Sequence, residues 1–451
     1  MKRPGLLRTL VGGGALFAVV WLVCLMMWPV RTVRMEDGSF VTVVGVTHGK
    51  NHVAKVGTFP ARLTSILSPK LFPKWPRAFS ARTNTPTDTL MVWLYATNIL
   101  AHFDDYGSGF TVDTNGVELE TCRVLVNQIG PRGNRLFGLA VDVLPRMEKT
   151  FTLRLRNVYH WVQNTKQPHP LGEIVFHNPL RTRARPWSGV PAPQRVTTKE
   201  FDCELERCEL NLDEPIGNPL SMKWQFYEKG APVSHWKVQR VEMEDATGNR
   251  LSQGWNEGPA AYAQGSSAGW FRRSLFPGAG AWKVRAFVMR TANFRSNEVL
   301  EVRDMPAPVQ PGHGTKLWRT NFNGELLEVG SYLALGQSRL SPPVGFPQLS
   351  APFEDWMVAI CGTDDFQERV FLLALEDDRG RAGKGTAKWT ANKVLGWHRE
   401  WEADAKRCTV RLGISQWRVV EFLVEPTVLN TTQPGLITAT EHSAAKPQPN
   451  E

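Results

Sequence analysis

The chain has 451 residues, is 42% hydrophobic and 21% charged, and carries a formal net charge of +10. Such a composition is ordinary for folded protein, and the length allows about three domains, because single cores rarely grow past roughly 250 residues. The positive balance comes with no nucleic-acid-binding module signature, so nucleic acid is not an expected partner, and 38 glycines with 31 prolines favour turns and short strands over long helices.

Residues 1–9 are short and basic, with Lys2, Arg3 and Arg8. Leu10 to Val30 is an uncharged apolar run of 21 residues, long enough to cross a bilayer of about 30 Å. A cleaved signal peptide is the rival reading, but the run ends in Leu-Met-Met-Trp-Pro and offers no small-x-small cleavage site. Cys24 lacks the small residue of a lipoprotein box before it. An uncleaved signal anchor at 10–30 is therefore expected, with residues 1–9 cytoplasmic and the bulk outside; Arg31, Arg34 and Lys50 on the far side weigh against that orientation.

Residues 31–85 read as a basic juxtamembrane segment. From Gly38 to Thr87 there is no acid, while Lys50, Lys55, Arg62, Lys70, Lys74, Arg77 and Arg82 fall there. A lipid bilayer is the expected partner of residues 10–30, and anionic lipid that of Lys55, Arg62, Lys70, Lys74 and Arg77; a solvated linker is the alternative. Thr58 to Leu67 reads as a short capped helix, and Phe72, Trp75 and Phe79 among the basic residues suit either the membrane interface or packing on the first folded unit.

A long period organises the remainder. Trp93, Trp224 and Trp356 are 131 and 132 residues apart, and the turns Asp113-Thr-Asn-Gly116, Asp245-Ala-Thr-Gly248 and Asp377-Asp-Arg-Gly380 follow them with glycines 132 apart. One unit is used three times. After each turn comes an alternating strand, Phe151-Thr-Leu-Arg154, Trp282-Lys-Val-Arg285 and Cys408-Thr-Val-Arg411, and each copy ends in an extended segment running into Pro179, Pro306 or Pro426. The pattern predicts an all-β fold of three antiparallel β-sandwiches at 86–182, 195–308 and 314–428, each with its Trp between two sheets. Arg181 to Gln194 and Met305 to Thr315 read as linkers, and 429–451 as a disordered tail.

Leu275-Phe-Pro-Gly-Ala-Gly-Ala-Trp-Lys-Val-Arg285 resembles the leucine, proline-glycine turn and aromatic-x-Val-Arg strand of fibronectin type III modules, which implies a fibronectin III/Ig-like sandwich and no activity. The third copy departs from it with Cys408 in the aromatic position. Arg31-Thr-Val-Arg-Met-Glu-Asp-Gly, running on to Gly45-Val-Thr-His-Gly-Lys-Asn-His52, is similar to uncharacterised bacterial envelope proteins with one N-terminal anchor, which implies a cell-membrane location.

No catalytic, metal or cofactor-binding residue is assigned. His48 and His52 have helical zinc spacing but lie in strand-and-turn sequence, where they would be about 13 Å apart. Asp104, Asp105, Asp113, Asp364, Asp365 and Glu368 read as solvated turn acids, and no Gly-x-Ser-x-Gly, P-loop or dinucleotide fingerprint occurs. Cys203 and Cys208 are close enough to staple a hairpin, and Cys361 and Cys408 to face each other, with Cys122 left over; the alternative makes all of them buried thiols. Of 17 tryptophans, Trp255, Trp270, Trp397 and Trp401 are the weak candidates for stacking on a ligand, with Trp187 and Trp389 also outside core positions. The expectation is a non-catalytic, membrane-anchored scaffold or binding protein with a protein or glycan partner. A carbohydrate-binding surface arm and an atypical hydrolase are the alternatives.

Overall fold

The computed structural model describes residues 32–35, 38, 40–56, 79–97, 107–129, 135–157, 169–212, 219–254, 256–257, 266–306, 318–333, 356–361, 366–382, 384–391, 394–400 and 406–429. The expected anchor at 10–30, the tail from 430 and the helix at Thr58–Leu67 lie outside these residues. No helix among those described is long and apolar enough to cross a membrane. The chain is all-β, built of mainly antiparallel sheets in sandwich-like pairs, with one α-helical turn among the described residues, at Phe366–Arg369.

The first pair contains β1 (Thr32–Arg34), β2 (Phe40–Val56), β3 (Phe79–Thr97), β4 (Gly107–Val112), β5 (Glu118–Glu120), β6 (Cys122–Ile129), β7 (Arg135–Val141), β8 (Thr150–Asn157) and β9 (His169–His177). Its sheets run β1-β2-β3-β7-β6 and β5-β4-β8-β9. Leu90, Val92 and Leu94 of β3 meet Phe151, Leu153 and Leu155 of β8 between them. This unit starts well before residue 86: parts of the expected juxtamembrane segment, 32–34, 40–56 and 79–85, are strands, as the β-branched run Val41-Thr-Val-Val44 favours.

The second unit holds β10 (Val190–Pro191), β11 (Gln194–Thr197), β12 (Asp202–Asn211), β13 (Leu220–Glu228), β14 (Ala231–Pro232), β15 (Trp236–Asp245), β16 (Arg250–Gly254), β17 (Asn256–Glu257), β18 (Ser266–Phe271) and β19 (Trp282–Arg290). The third holds β20 (Val299–Pro306), β21 (Trp318–Phe322), β22 (Glu325–Leu333), β23 (Trp356–Cys361), β24 (Val370–Asp377), β25 (Lys384–Ala391), β26 (Val394–Glu400) and β27 (Arg407–Ile414). β28 (Arg418–Glu425) and β29 (Thr427–Leu429) follow.

One five-stranded order recurs in β1-β2-β3-β7-β6, β11-β12-β13-β18-β17 and β21-β22-β23-β26-β25, but the closing strands of the second and third units are exchanged. In the first unit β9 pairs with the preceding β8, Phe151 opposite Phe176. In the second, the strand beside β19 is β28, with Trp282 opposite Val424, and β29 joins β12. β20, next after β19 in the chain, instead lies beside β27 with Val302 opposite Val410. The resulting sheets are β16-β15-β19-β28-β10 and β24-β27-β20. Val420, Phe422 and Val424 complete the second core, and Leu300, Val302 and Met305 the third. The strand pairing therefore crosses the expected boundary between 308 and 314. Residues 299–414 are an insertion into the second unit.

All three Asp-x-x-Gly turns form as expected. Gly116, Gly248 and Gly380 have φ of 86°, 87° and 71°, and each donates its N–H to the Asp carbonyl three residues back. Oδ1 of Asp113, Asp245 and Asp377 accepts the N–H groups two and four residues on. This is a three-residue hairpin loop with glycine at the left-handed position.

The tryptophans correct one expectation. Trp224 is fully buried between the sheets. Trp93 is equally buried but on the opposite face of its sheet, with Met91, Leu136 and Ala140. Its spacing to Trp224 is 131 where the glycines keep 132, so Val92 is the true counterpart, and one residue in a strand reverses the face. The far halves of β2 and β3, 51–56 and 79–84, pair with each other as a ribbon, and Ala54 and Ala81 on it pack in the Trp93 cluster. A ladder shift between Gly49 and Asn51, with Gly49 at φ 118°, turns the ribbon onto that face. Trp356 lies in β23.

The first two units are docked. The Asn249 side chain accepts from the Leu144 N–H at 3.1 Å and donates to its carbonyl at 2.8 Å. Arg273 pairs with Asp142 at 2.7 Å and Arg272 with the buried Glu120 at 2.7 Å. Val117, Leu119 and Val143 of the first unit extend the second core.

We expect Arg285→Cys combined with Glu421→Cys, opposite each other on β19 and β28, to form a disulfide under mild oxidation. In a triple variant that adds Glu301→Cys on β20, a crosslink from position 285 to position 301, in preference to position 421, would mean that the strands are not exchanged.

Candidate functional site

The densest chemistry among the described residues lies where the chain leaves the second unit and returns to it. β19 ends at Arg290, a single turn at Ser296–Glu298 opens β20, and only residues 415–417 separate β27 from β28. The buried Glu298 carboxylate sits 2.8 Å from Arg418 Nη1 and 3.4 Å from Arg290 Nε, and accepts the Arg295 N–H at 3.3 Å. Glu200 receives Arg418 at 3.0 Å and Arg295 at 3.3 Å. Glu228 accepts the Trp236 indole N–H at 2.7 Å, lies 2.8 Å from His235 Nε2, and faces Arg290 at 3.9 Å. Burial would raise the Glu228 carboxyl, but Trp236, His235 and Arg290 outweigh it and hold the group below the usual carboxylate range. The guanidiniums of Arg290 and Arg418 stack over Trp236 at 4.2 and 5.2 Å.

Ser415 ties the return strand to both units. Its buried Oγ accepts the Arg290 N–H at 2.7 Å, its N–H donates to the Arg369 carbonyl, and Arg369 Nη1 donates to the Ser415 carbonyl at 3.0 Å. Trp417 stands edge-on to Phe287 at 6.0 Å, between Arg240 of the second unit and Arg369 of the third. Each carboxylate in the cluster is engaged by arginine. The arrangement is suited to fixing geometry.

None of the residues singled out by sequence as candidate sites belongs to this cluster among the described residues. Trp270 is half-buried on β18, opposite Ser221 and Asn256; Trp397 lies in β26; Trp255 and Trp401 are outside the described residues. Lys55 belongs to β2, paired with Ser80, while Arg62, Lys70, Lys74, Arg77, Asp104, Asp105, Asp364 and Asp365 lie outside. Asp113 is a turn acid, raised by desolvation against the N–H donors of Val117 and Asn115.

The cysteines correct another expectation. Cys203 and Cys208 share the single strand β12, both buried and free, so they staple no hairpin. Cys122 and Cys408 are free and buried as well. Burial pushes Cys122, Cys208 and Cys408 up to about 12 and raises Cys203, which removes thiolate character.

His52 anchors the ribbon over Trp93. Trp93 Nε1 donates to Thr47 Oγ1 at 3.0 Å, and that hydroxyl is hydrogen-bonded to His52 Nδ1, also at 3.0 Å. His52 Nε2 is hydrogen-bonded to Thr85 Oγ1 at 3.2 Å, and Thr85 donates to the carbonyls of Gly49 and Lys50. Desolvation lowers the His52 pKa, against a bond at Gly49 that raises it, and nearby His48 lowers it further. His48 itself is exposed on β2, and the described residues contain no group of three or more potential metal ligands.

Comparison with protein-family models, curated proteins and solved structures gives no match to this chain.

Glu298→Ala strands Arg290 and Arg418 without their buried carboxylate and is expected to cost about 3–5 kcal/mol in equilibrium unfolding; a loss under about 1 kcal/mol would show that the cluster is dispensable. Because the folded-state pKa of His52 is lowered, the neutral ring's contribution is complete above the ordinary value of 6.5 and is lost as pH falls through the lowered one. Thermal unfolding followed between about pH 7.5 and 5 should be steeper in pH for the natural chain than for His52→Gln. Parallel profiles would exclude the ribbon as a titrating element.

Proposed function

We propose that the chain is a membrane-anchored, non-catalytic scaffold or binding protein of a bacterial cell envelope. On this reading its sheet pairs are fibronectin III/Ig-like modules carried behind a transmembrane segment at residues 10–30. The observation that supports it best is the junction between the second and third units. There Glu200, Glu228 and Glu298 are all engaged with Arg290, Arg295 and Arg418 in holding two exchanged strands, so charge is concentrated where it fixes the relative placement of modules. The module assignment draws support from the repeated sheet order and from the buried Leu275 and Phe276 ahead of β19, with their Pro277–Ala279 turn. The buried thiols fit a structural role for cysteine.

The reading places the modules outside the cytoplasm, since Lys2, Arg3 and Arg8 would retain the N-terminal end. A cysteine introduced at Gly435 should then react with a membrane-impermeant maleimide on intact cells, with the unsubstituted chain as background. Labelling only after lysis would reverse the topology. The full chain should show no turnover on ester, glycoside, peptide and phosphate substrates; hydrolysis that is lost in Asp104→Asn, Asp105→Asn, Asp364→Asn or Asp365→Asn would replace the scaffold with an enzyme.

A further inference from the structure

The segment joining the first and second units is held in place and presents a row of arginines. Asn178 N–H donates to the Lys149 carbonyl at 2.8 Å, and its side chain donates to the carbonyls of Pro145 and Glu148. Thr182 N–H donates to the Arg146 carbonyl at 2.7 Å, and Ala184 N–H to Thr182 Oγ1 at 3.1 Å. At the far end the Trp187 carbonyl accepts the Ala281 N–H at 3.0 Å. Between these ties, Thr182 and Ala184 are half-buried while Arg181, Arg183 and Arg185 are exposed.

These three arginines differ from most others on the surface. Arg123, Arg154, Arg195, Arg250, Arg285 and Arg319 each lie against a carboxylate. No ion pair or hydrogen bond of the described residues engages the side chains of Arg181, Arg183 or Arg185. Exposed Lys149 lies at one end of the row, and at the other Lys283 covers the Trp187 ring at 5.4 Å. Three exposed guanidinium forks therefore fall within five residues of a segment whose backbone is tied on both sides. A fork of this kind takes a phosphate through two parallel N–H bonds, and a held segment loses little entropy on binding.

We propose that Arg181, Arg183 and Arg185 form a binding strip for a linear, phosphate-bearing polyanion. Three exposed guanidiniums confined to five residues, with half-buried residues between them, match a narrow polymer better than the plane of a membrane. Thr182 and Ala184 at the intervening positions offer no aromatic platform for bases, which separates the strip from a single-stranded nucleic-acid groove. The proposal deepens the binding-protein reading and rests on it, but it fails separately: binding is measured on the solubilised full chain, whichever side of the membrane the modules occupy.

The test titrates the detergent-solubilised chain with inorganic polyphosphate over a range of salt. Arg181→Ser, Arg183→Ser and Arg185→Ser together should weaken binding at least about tenfold and reduce the slope of log affinity against log salt by about 2–3. The comparison variant Arg34→Ser, Lys50→Ser, Arg82→Ser removes the same charge from exposed positions of the first unit and should leave the slope nearly unchanged. Equal losses in the two variants, no binding of polyphosphate, or tighter binding to phosphatidylglycerol vesicles or to a single-stranded oligonucleotide, each lost with the strip, would overturn the proposal.

Discussion

A β-sandwich that lacks its last strand exposes a row of backbone N–H and C=O groups and one flank of its core. The first is a template for pairing with another chain, and the second is apolar surface left in water. In this chain the second and third units each receive that strand from the segment that follows the other unit's β19 or β27 strand. Neither can close alone. Phe422 is buried in a core whose other members begin at Val117 and Phe201, and Val302 in one whose members run on to Ile414.

The buried charge cluster makes physical sense in that light. A hairpin closure of β19 on β20 and of β27 on β28 would satisfy the same backbone groups and bury similar aliphatic residues, so hydrophobic burial discriminates poorly between the two arrangements. Ion pairs discriminate well, because an unpaired buried charge is costly. Arg418 opens β28 and Glu298 immediately precedes β20; they meet only if both strands have crossed over. Ser415 adds a second condition by accepting from the end of β19 while bonded to Arg369 of the third unit. The polar contacts thus select a topology that the apolar ones tolerate.

Local features were legible in the sequence and partner choice was not. Asp113, Asp245 and Asp377 with their glycines define turns through bonds that reach no further than four residues, so spacing alone carries them. The strands Phe151–Leu155, Trp282–Val288 and Cys408–Ile414 announce themselves by alternation, and all are buried on the expected face. Which strand lies beside β19 is decided by residues far away in the chain, and nothing local to Val299–Pro306 distinguishes it from Arg418–Glu425. The charge cluster was missed for the same reason: its outermost members, Glu200 and Arg418, are 218 positions apart, and Glu228, Arg290 and Glu298 fall between them with no motif spacing. A clue did exist for Trp93, whose repeat distance falls one residue short of the glycine period.

That one-residue offset has a structural cost and a structural answer. A tryptophan on the outer face of a sheet would expose a large apolar ring, and the extra length of β2 and β3 supplies its cover. The cover is a two-stranded ribbon, which has little stability of its own. It is held by Ala54 and Ala81 against the sheet and by the relay from Trp93 through Thr47 and His52 to Thr85. A ribbon held by so few contacts belongs to the least stable part of the fold. The second and third units are locked by exchanged strands and buried ions, and the first is docked on them through Asn249, Arg272 and Arg273. Any local opening in the described residues should therefore begin at the ribbon and leave the arrangement of the three sheet pairs intact.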